Sequence, residues 1–254
     1  MADQPIIQVK DLTAGYGSTV ILQDIHFDVR AGEVLTILGG SGSGKSTLLK
    51  HMIGLKKPLS GSILIDGTDI VTAQGQPWLD VLRKIGVAYQ SGALFGSMTI
   101  LSNIALVLEE FTDLPREAIE VIAQMKLKAV GLQAAAYKMP SELSGGMRKR
   151  AAIARALALD PKILFLDEPS AGLDPITSAQ LDELVLELSR SLGITFVIVT
   201  HELPSIFAVA DRAIMVDRES KTIVADGRPQ DLRDQSEHPM VRQFFNRRLE
   251  KVDA

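Results

Sequence analysis

Residues 39–46 read Gly-Gly-Ser-Gly-Ser-Gly-Lys-Ser, which fits the pattern G-x-x-x-x-G-K-[ST], and they lie between the apolar run Val34 to Leu38 and Thr47-Leu48-Leu49. An apolar strand, a glycine loop and a helix in that order predict a phosphate-binding loop. Glycines let the backbone turn its N–H groups inward around phosphates, and the following helix adds the positive end of its dipole. Lys45 supplies a point charge for the β- and γ-phosphates, and the Ser46 hydroxyl suits Mg²⁺. Gly39, Gly40, Ser41, Gly42, Ser43, Gly44 and Thr47 complete the candidate nucleotide-binding set. The alternative, a glycine-rich turn with a solvated lysine, does not explain the flanks.

A metal-holding carboxylate should end a buried strand, where its charge sits at the edge of a parallel sheet. Lys162 to Pro169, Lys-Ile-Leu-Phe-Leu-Asp-Glu-Pro, has that form. Asp167 is the candidate for Mg²⁺, and Glu168 the candidate general base toward an attacking water. Gln90 and His201 each follow another apolar run, Ile85 to Tyr89 and Thr195 to Thr200. An amide there suits Mg²⁺ or a water. A lone histidine is more often structural, and the shared strand-end position is what raises both residues.

Composition sets the bounds. The chain has 254 residues, 46% of them hydrophobic, and its 27 Lys+Arg against 31 Asp+Glu give a net charge of −4. It contains no Cys, which excludes disulfides, thiolate metal sites and thiol nucleophiles. The acidic balance disfavours nucleic acid as a main partner. Met1 to Pro5 shows no signal-peptide pattern, and no apolar run approaches the roughly 18 to 20 residues that span a bilayer. Work at a membrane would therefore go through another chain.

Strands are expected at Ile6 to Val9, Val20 to Val29, Glu33 to Leu38, Ser62 to Ile65, Ile85 to Tyr89, Lys162 to Leu166, Thr195 to Val199, Ala213 to Val216 and Thr222 to Ala225. Several are β-branched without polar alternation, as in a doubly covered parallel sheet. The Arg30-Ala31-Gly32 and Asp66-Gly67 turns suggest hairpins in a small antiparallel layer. Asp174-Pro175 caps a helix whose Leu181, Leu184, Val185, Leu188 and Leu192 share a face. Residues 91–159 read as helical, rich in Ala, Leu, Met, Lys and Glu. At Pro239 to Leu249, the apolar Met240, Val241, Phe244, Phe245 and Leu249 fit one helical face beside Arg242, Arg247 and Arg248. Core packing is the default there, and an intersubunit contact is the alternative.

Leu143-Ser144-Gly145-Gly146-Met147-Arg148 resembles the signature of ATP-binding cassette (ABC) ATPases. Tyr16 with Gly17 resembles the family's adenine-stacking aromatic, Gln90 its Q-loop glutamine, Ser170-Ala171-Gly172-Leu173-Asp174 its D-loop, and His201 its switch histidine. The resemblance implies an α/β P-loop NTPase with a RecA-like parallel core, an N-terminal antiparallel β layer and an inserted α-helical subdomain. As a single domain over 1–254, the core with its β layer would take 1–90 and 160–228, the helical signature subdomain 91–159 and a helical tail 229–254. It implies ATP and Mg²⁺ as cofactors. Lys45 and the loop amides would neutralise phosphate charge, while Ser46, Gln90 and Asp167 position the metal. Glu168 would polarise water, His201 would contact the γ-phosphate, and Asp174 joins the catalytic set. Ser144, Gly145 and Gly146 would complete the pocket of a second copy. Gly40 stands where the family often has Pro, and Met147 where it often has Gln.

A narrower resemblance lies in Tyr89 to Phe95, Met125-Lys126-Leu127, Ala129 to Leu132 and Met139 to Met147. It points to the ATPases of MCE-associated (Mla-type) bacterial lipid transporters. That implies phospholipid transport across the cell envelope from the cytoplasmic face of the inner membrane. The implied partners are an integral membrane permease, an MCE-domain protein and a small STAS-domain subunit. An ABC transporter for another cargo is the alternative. A soluble cassette acting on DNA or ribosomes is disfavoured by the single motif set. Phe95, in the glycine-rich segment Ser91 to Ser97, is expected to be either a docking anchor for the permease or a packing residue of the helical lobe.

Overall fold

The computed structural model describes residues 5–246. In chain order the strands and helices begin with β1 (Ile7–Tyr16), β2 (Thr19–Val29), β3 (Val34–Leu38), α1 (Lys45–Met52), β4 (Ser60–Ile65) and β5 (Thr68–Asp69). Next come α2 (Gln76–Lys84), β6 (Ile85–Ala88), α3 (Ile100–Phe111), α4 (Arg116–Ala129) and α5 (Gly145–Ala156). They are followed by β7 (Ile163–Asp167), α6 (Pro175–Leu192), β8 (Thr195–Val199), α7 (Leu203–Val209), β9 (Arg212–Val216), β10 (Ile223–Gly227), α8 (Pro229–Gln235) and α9 (Pro239–Asn246). Two compact units result. One holds the described residues up to 73 and those from 197 onward, the other 74–196, and the chain passes between them within β8.

In the first unit an antiparallel sheet runs β2-β1-β4-β5. β1 was expected to end at Val9 but continues to Tyr16, because Leu12 and Ala14 remain buried through register shifts next to Asp11, a residue at φ 49°. β5, not foreseen, pairs with β4 across Asp66-Gly67, where φ of 48° and 80° suit a two-residue hairpin. The expected hairpin at Arg30-Ala31-Gly32 is a correction. That turn joins β2 of this sheet to β3, which pairs parallel with β9 instead. β3 is buried at every position, so it has no polar face to match the half-exposed β2. Arg212, first in β9, ties the layers: it donates to Glu33 Oε1 at 2.6 Å, to both Asp226 oxygens at 2.9 Å, and to the Asp28 carbonyl of β2.

The expected helical face at 239–249 closes the same unit. Val241 and Phe245 are buried with Leu38, Leu203, Ile206, Met215 and Leu232, while Met240 and Phe244 pack at the rim. Phe245 meets Phe207 with ring centroids 5.8 Å apart and Phe244 at 5.3 Å. Core packing is therefore what these residues do. Arg247, Arg248 and Leu249, like Met1 to Gln4 of the signal-peptide reading, lie outside the described residues.

In the second unit β6 and β7 pair in parallel, from Ile85 opposite Ile163 to Ala88 opposite Leu166. A Cβ on Gly86 would lie 2.2 Å from the Ala156 carbonyl oxygen, so β6 and the end of α5 touch backbone to backbone. Residues 91–159 hold α3, α4, α5 and two short 3-10 turns, as their composition predicts. α6 starts after Asp174 with Pro175 in its first turn, and Leu181, Leu184, Val185 and Leu188 are buried. Leu192 is a correction. It is 57% exposed, because it ends the helix just before Gly193 turns the backbone left-handed at φ 65°.

Candidate nucleotide site

In the first unit the loop leaves β3 at Gly39. A Cβ on Gly39 would fall 2.4 Å from the Val216 carbonyl oxygen, and Gly44, at φ 101°, packs against Leu22 with no room for one. These two glycines make the close turn that the phosphate-loop pattern needs. Lys45 opens α1 and arches back, its Nζ donating to the Gly39 and Gly40 carbonyls at 2.9 and 3.0 Å. The ammonium is thereby held across the loop. Ser41, Gly42 and Ser46 are exposed and Ser43 is buried. Thr47 is also buried, so what it can offer a phosphate is its backbone N–H near the start of α1. Tyr16, at the end of β1, is 42% exposed with Lys56 Nζ 5.6 Å from its ring centroid. His201 follows β8, half exposed, with Nε2 3.7 Å from Glu202 Oε1.

In the second unit the candidate residues gather around the N-terminal half of α5. Ser144 caps this helix, its Oγ accepting from Met147 N–H at 3.3 Å. A Cβ on Gly146 would lie 2.4 Å from Thr177 of α6, and one on Gly145 would lie 3.4 Å from Leu173. The signature tip is thus seated on the 170–174 segment and the first turn of α6. Asp174 caps α6 by accepting from Ile176 and Thr177 N–H and from the Thr177 hydroxyl. Asp167 is the last residue of β7, and Glu168 follows with φ 48°, a left-handed conformation unusual for a residue with a side chain. Gln90 follows β6 by two positions. Gln90, Ser141, Gly145, Arg148, Lys149 and Leu173 line one cleft of about 540 Å³.

Four residues that fasten these segments to one another escape a reading of the sequence. Lys149 Nζ donates to the Gln90 carbonyl at 2.6 Å and to the Glu168 carbonyl at 3.1 Å. Burial pushes its pKa down, while the Glu168 and Asp167 carboxylates push it back up. Arg155, on the same helix, donates to the Ala93 carbonyl at 2.6 Å and the Gly92 carbonyl at 3.3 Å. Asn103, fully buried on α3, accepts from Phe95 N–H at 2.7 Å and donates to the Phe95, Met98 and Thr99 carbonyls. Gly86 sets the approach of α5. Only Arg155 leaves a trace in the sequence, as a cation that follows the buried run Ala151 to Ala154.

A lysine-closed glycine loop after a buried parallel strand, with an Asp-Glu pair ending another, defines a P-loop nucleotide-hydrolysing protein. A family model described as ABC transporter matches residues 22–171, and one described as AAA domain, putative AbiEii toxin, Type IV TA system, matches 137–208. The "Probable ribonucleotide transport ATP-binding protein mkl" of Mycobacterium leprae is 45% identical over 95% of this chain and 69% of that protein. The "Intermembrane phospholipid transport system ATP-binding protein MlaF" of Haemophilus influenzae is 40% identical over 96% of this chain and 91% of that protein. Among solved structures, the dimeric post-hydrolysis state of the ATP-binding cassette MJ0796 bound to ADP and Pi superposes with a TM-score of 0.78 at 30% identity, covering 87% of this chain and 98% of that one. The chain belongs to the ABC transporter ATP-binding family, and it is an ATPase.

Proposed function

We propose that this chain hydrolyses ATP in a two-copy assembly and that the turnover drives phospholipid transport across a bacterial cell envelope. The observation that carries the cargo is the match to MlaF along 91% of that protein's length, against 69% for the mkl protein. Each copy contributes Tyr16 to stack on adenine, Lys45 and the amides of 39–47 to the phosphates, Glu168 to take a proton from the attacking water, and His201 to the γ-phosphate. A second copy contributes its own Ser144, Gly145 and Gly146, whose helix N-terminus carries partial positive charge. Among the described residues no group of three or more His, Asp or Glu could hold a metal without the nucleotide. Ser46, Gln90 and Asp167 offer the hard oxygen ligands that suit Mg²⁺, which when bound would neutralise charge on the phosphates. Because phosphoryl transfer is accelerated by positioning and charge, closure of two copies around ATP is the catalytic event.

In this reading the chain sits at the cytoplasmic face of the inner membrane through an integral permease, with an MCE-domain protein and a STAS-domain subunit in the complex. Phe95 is 51% exposed on a loop fixed by Asn103, which suits a docking anchor for the permease. The test is Glu168→Gln, purified with its membrane partners. ATP should bind and a nucleotide-locked dimer accumulate, while hydrolysis falls about a thousandfold or more. Full turnover would place the base elsewhere. In proteoliposomes, ATP-dependent movement of a fluorescent phospholipid by the wild-type complex supports the cargo, and movement of a ribonucleotide in its place overturns it.

A further inference from the structure

Lys149 lies in the second turn of α5, the helix that Ser144 caps and that begins with Gly145-Gly146. Its ammonium reaches the backbone just past two parallel strands, the Gln90 carbonyl after β6 and the Glu168 carbonyl after β7. Glu168 sits at φ 48°, and a side-chain-bearing residue keeps such a backbone only when its surroundings hold it. Its carbonyl accepts from Ala171 N–H at 3.2 Å and from Lys149. The lysine supplies a charge-assisted bond, the stronger kind. Farther along the same helix, Arg155 grips Gly92 and Ala93, the latter also left-handed at φ 47°. Thus α5 fastens the segment after β6 at three carbonyls and the catalytic segment after β7 at one.

We propose that Lys149 is a positioning residue for hydrolysis, locking the Gln90 and Glu168 backbones to the helix that carries the signature tip. A shift of that helix, of the kind a γ-phosphate at its N-terminus would cause, then moves the water-activating carboxylate and the glutamine together. Removal of the ammonium frees Glu168 to relax out of the left-handed region, which swings its carboxylate away from the attacking water. The proposal rests on the reading of Glu168 as general base.

The experiment measures steady-state ATP turnover, fluorescent-ATP affinity and thermal midpoint for wild type, Lys149→Met, Lys149→Arg and Glu168→Gln. Lys149→Met should lower kcat about tenfold or more, with KM and nucleotide affinity within about twofold, since only alignment in the transition state is lost. Lys149→Arg, a cation that can still donate to both carbonyls, should stay within about threefold of wild type. A kcat for Lys149→Met within twofold of wild type overturns the proposal. So does a fall in nucleotide affinity that matches the fall in kcat, or equal losses in the Arg and Met variants, since a merely structural role predicts those. If Lys149→Met does not fold, Lys149→Leu, which also lacks a donor, carries the same test with the same limits. Turnover surviving in Glu168→Gln overturns the base assignment, whereas turnover lost there but intact in Lys149→Met overturns only the role of Lys149.

Discussion

Asp174 is an exposed carboxylate with both oxygens engaged, Oδ1 by two N–H groups and Oδ2 by the Thr177 hydroxyl at 2.6 Å. These bonds, led by the hydroxyl, hold its pKa below the ordinary 3.8. A carboxylate whose pKa is lowered by folding contributes stability that is present above the unfolded value and lost as pH falls through the folded one. Thermal melts at pH 6 and pH 3 should therefore show wild type losing more of its midpoint than Asp174→Asn, which keeps an accepting oxygen but cannot titrate. Equal losses would place the acid sensitivity in other groups. The cap itself was legible, because Asp before Pro at the start of an apolar period has one reading. Lys149 was not. A cation next to Arg148 and Arg150 reads as a solvated helix face until the fold brings two distant carbonyls to it.

Among the elements, those with strong patterning were readable and their pairing was not. β3, β7 and β8 announced themselves as continuous apolar runs, and α6 by its period. The Arg30-Ala31-Gly32 turn shows the limit: a glycine turn between two strands looks the same whether the strands pair or part into different sheets, and register decides only in three dimensions. α9 tests the packing side. Its Phe245 is buried among Phe207, Val241 and Leu232, so Phe245→Ala should destabilise the chain by about 3–4 kcal/mol through lost burial and a residual cavity. Urea unfolding with an unchanged m-value reads this directly. A change below about 1 kcal/mol would mean that α9 adds little to the core it covers.

For the molecule as a whole, no helix among the described residues is long and apolar enough to cross a membrane. The half-exposed ring of Phe95 is the contact the permease proposal names. Phe95→Ala should weaken association with the membrane complex about tenfold or more and lower ATP-driven transport, while leaving the thermal midpoint of the isolated chain unchanged. Wild-type binding and transport in that variant would remove Phe95 from the interface. The motifs made the ATPase class legible across most of the chain, because phosphate chemistry restricts residue types tightly. The interior ties were hidden, since Asn103 and Gly86 act through backbone groups that any sequence carries. Asn103 brackets the main chain at Phe95 through its N–H and its carbonyl. If the permease proposal holds, shape and recognition are written at separate positions: a single codon at 95 would retune which membrane component is greeted, with the scaffold beneath left intact.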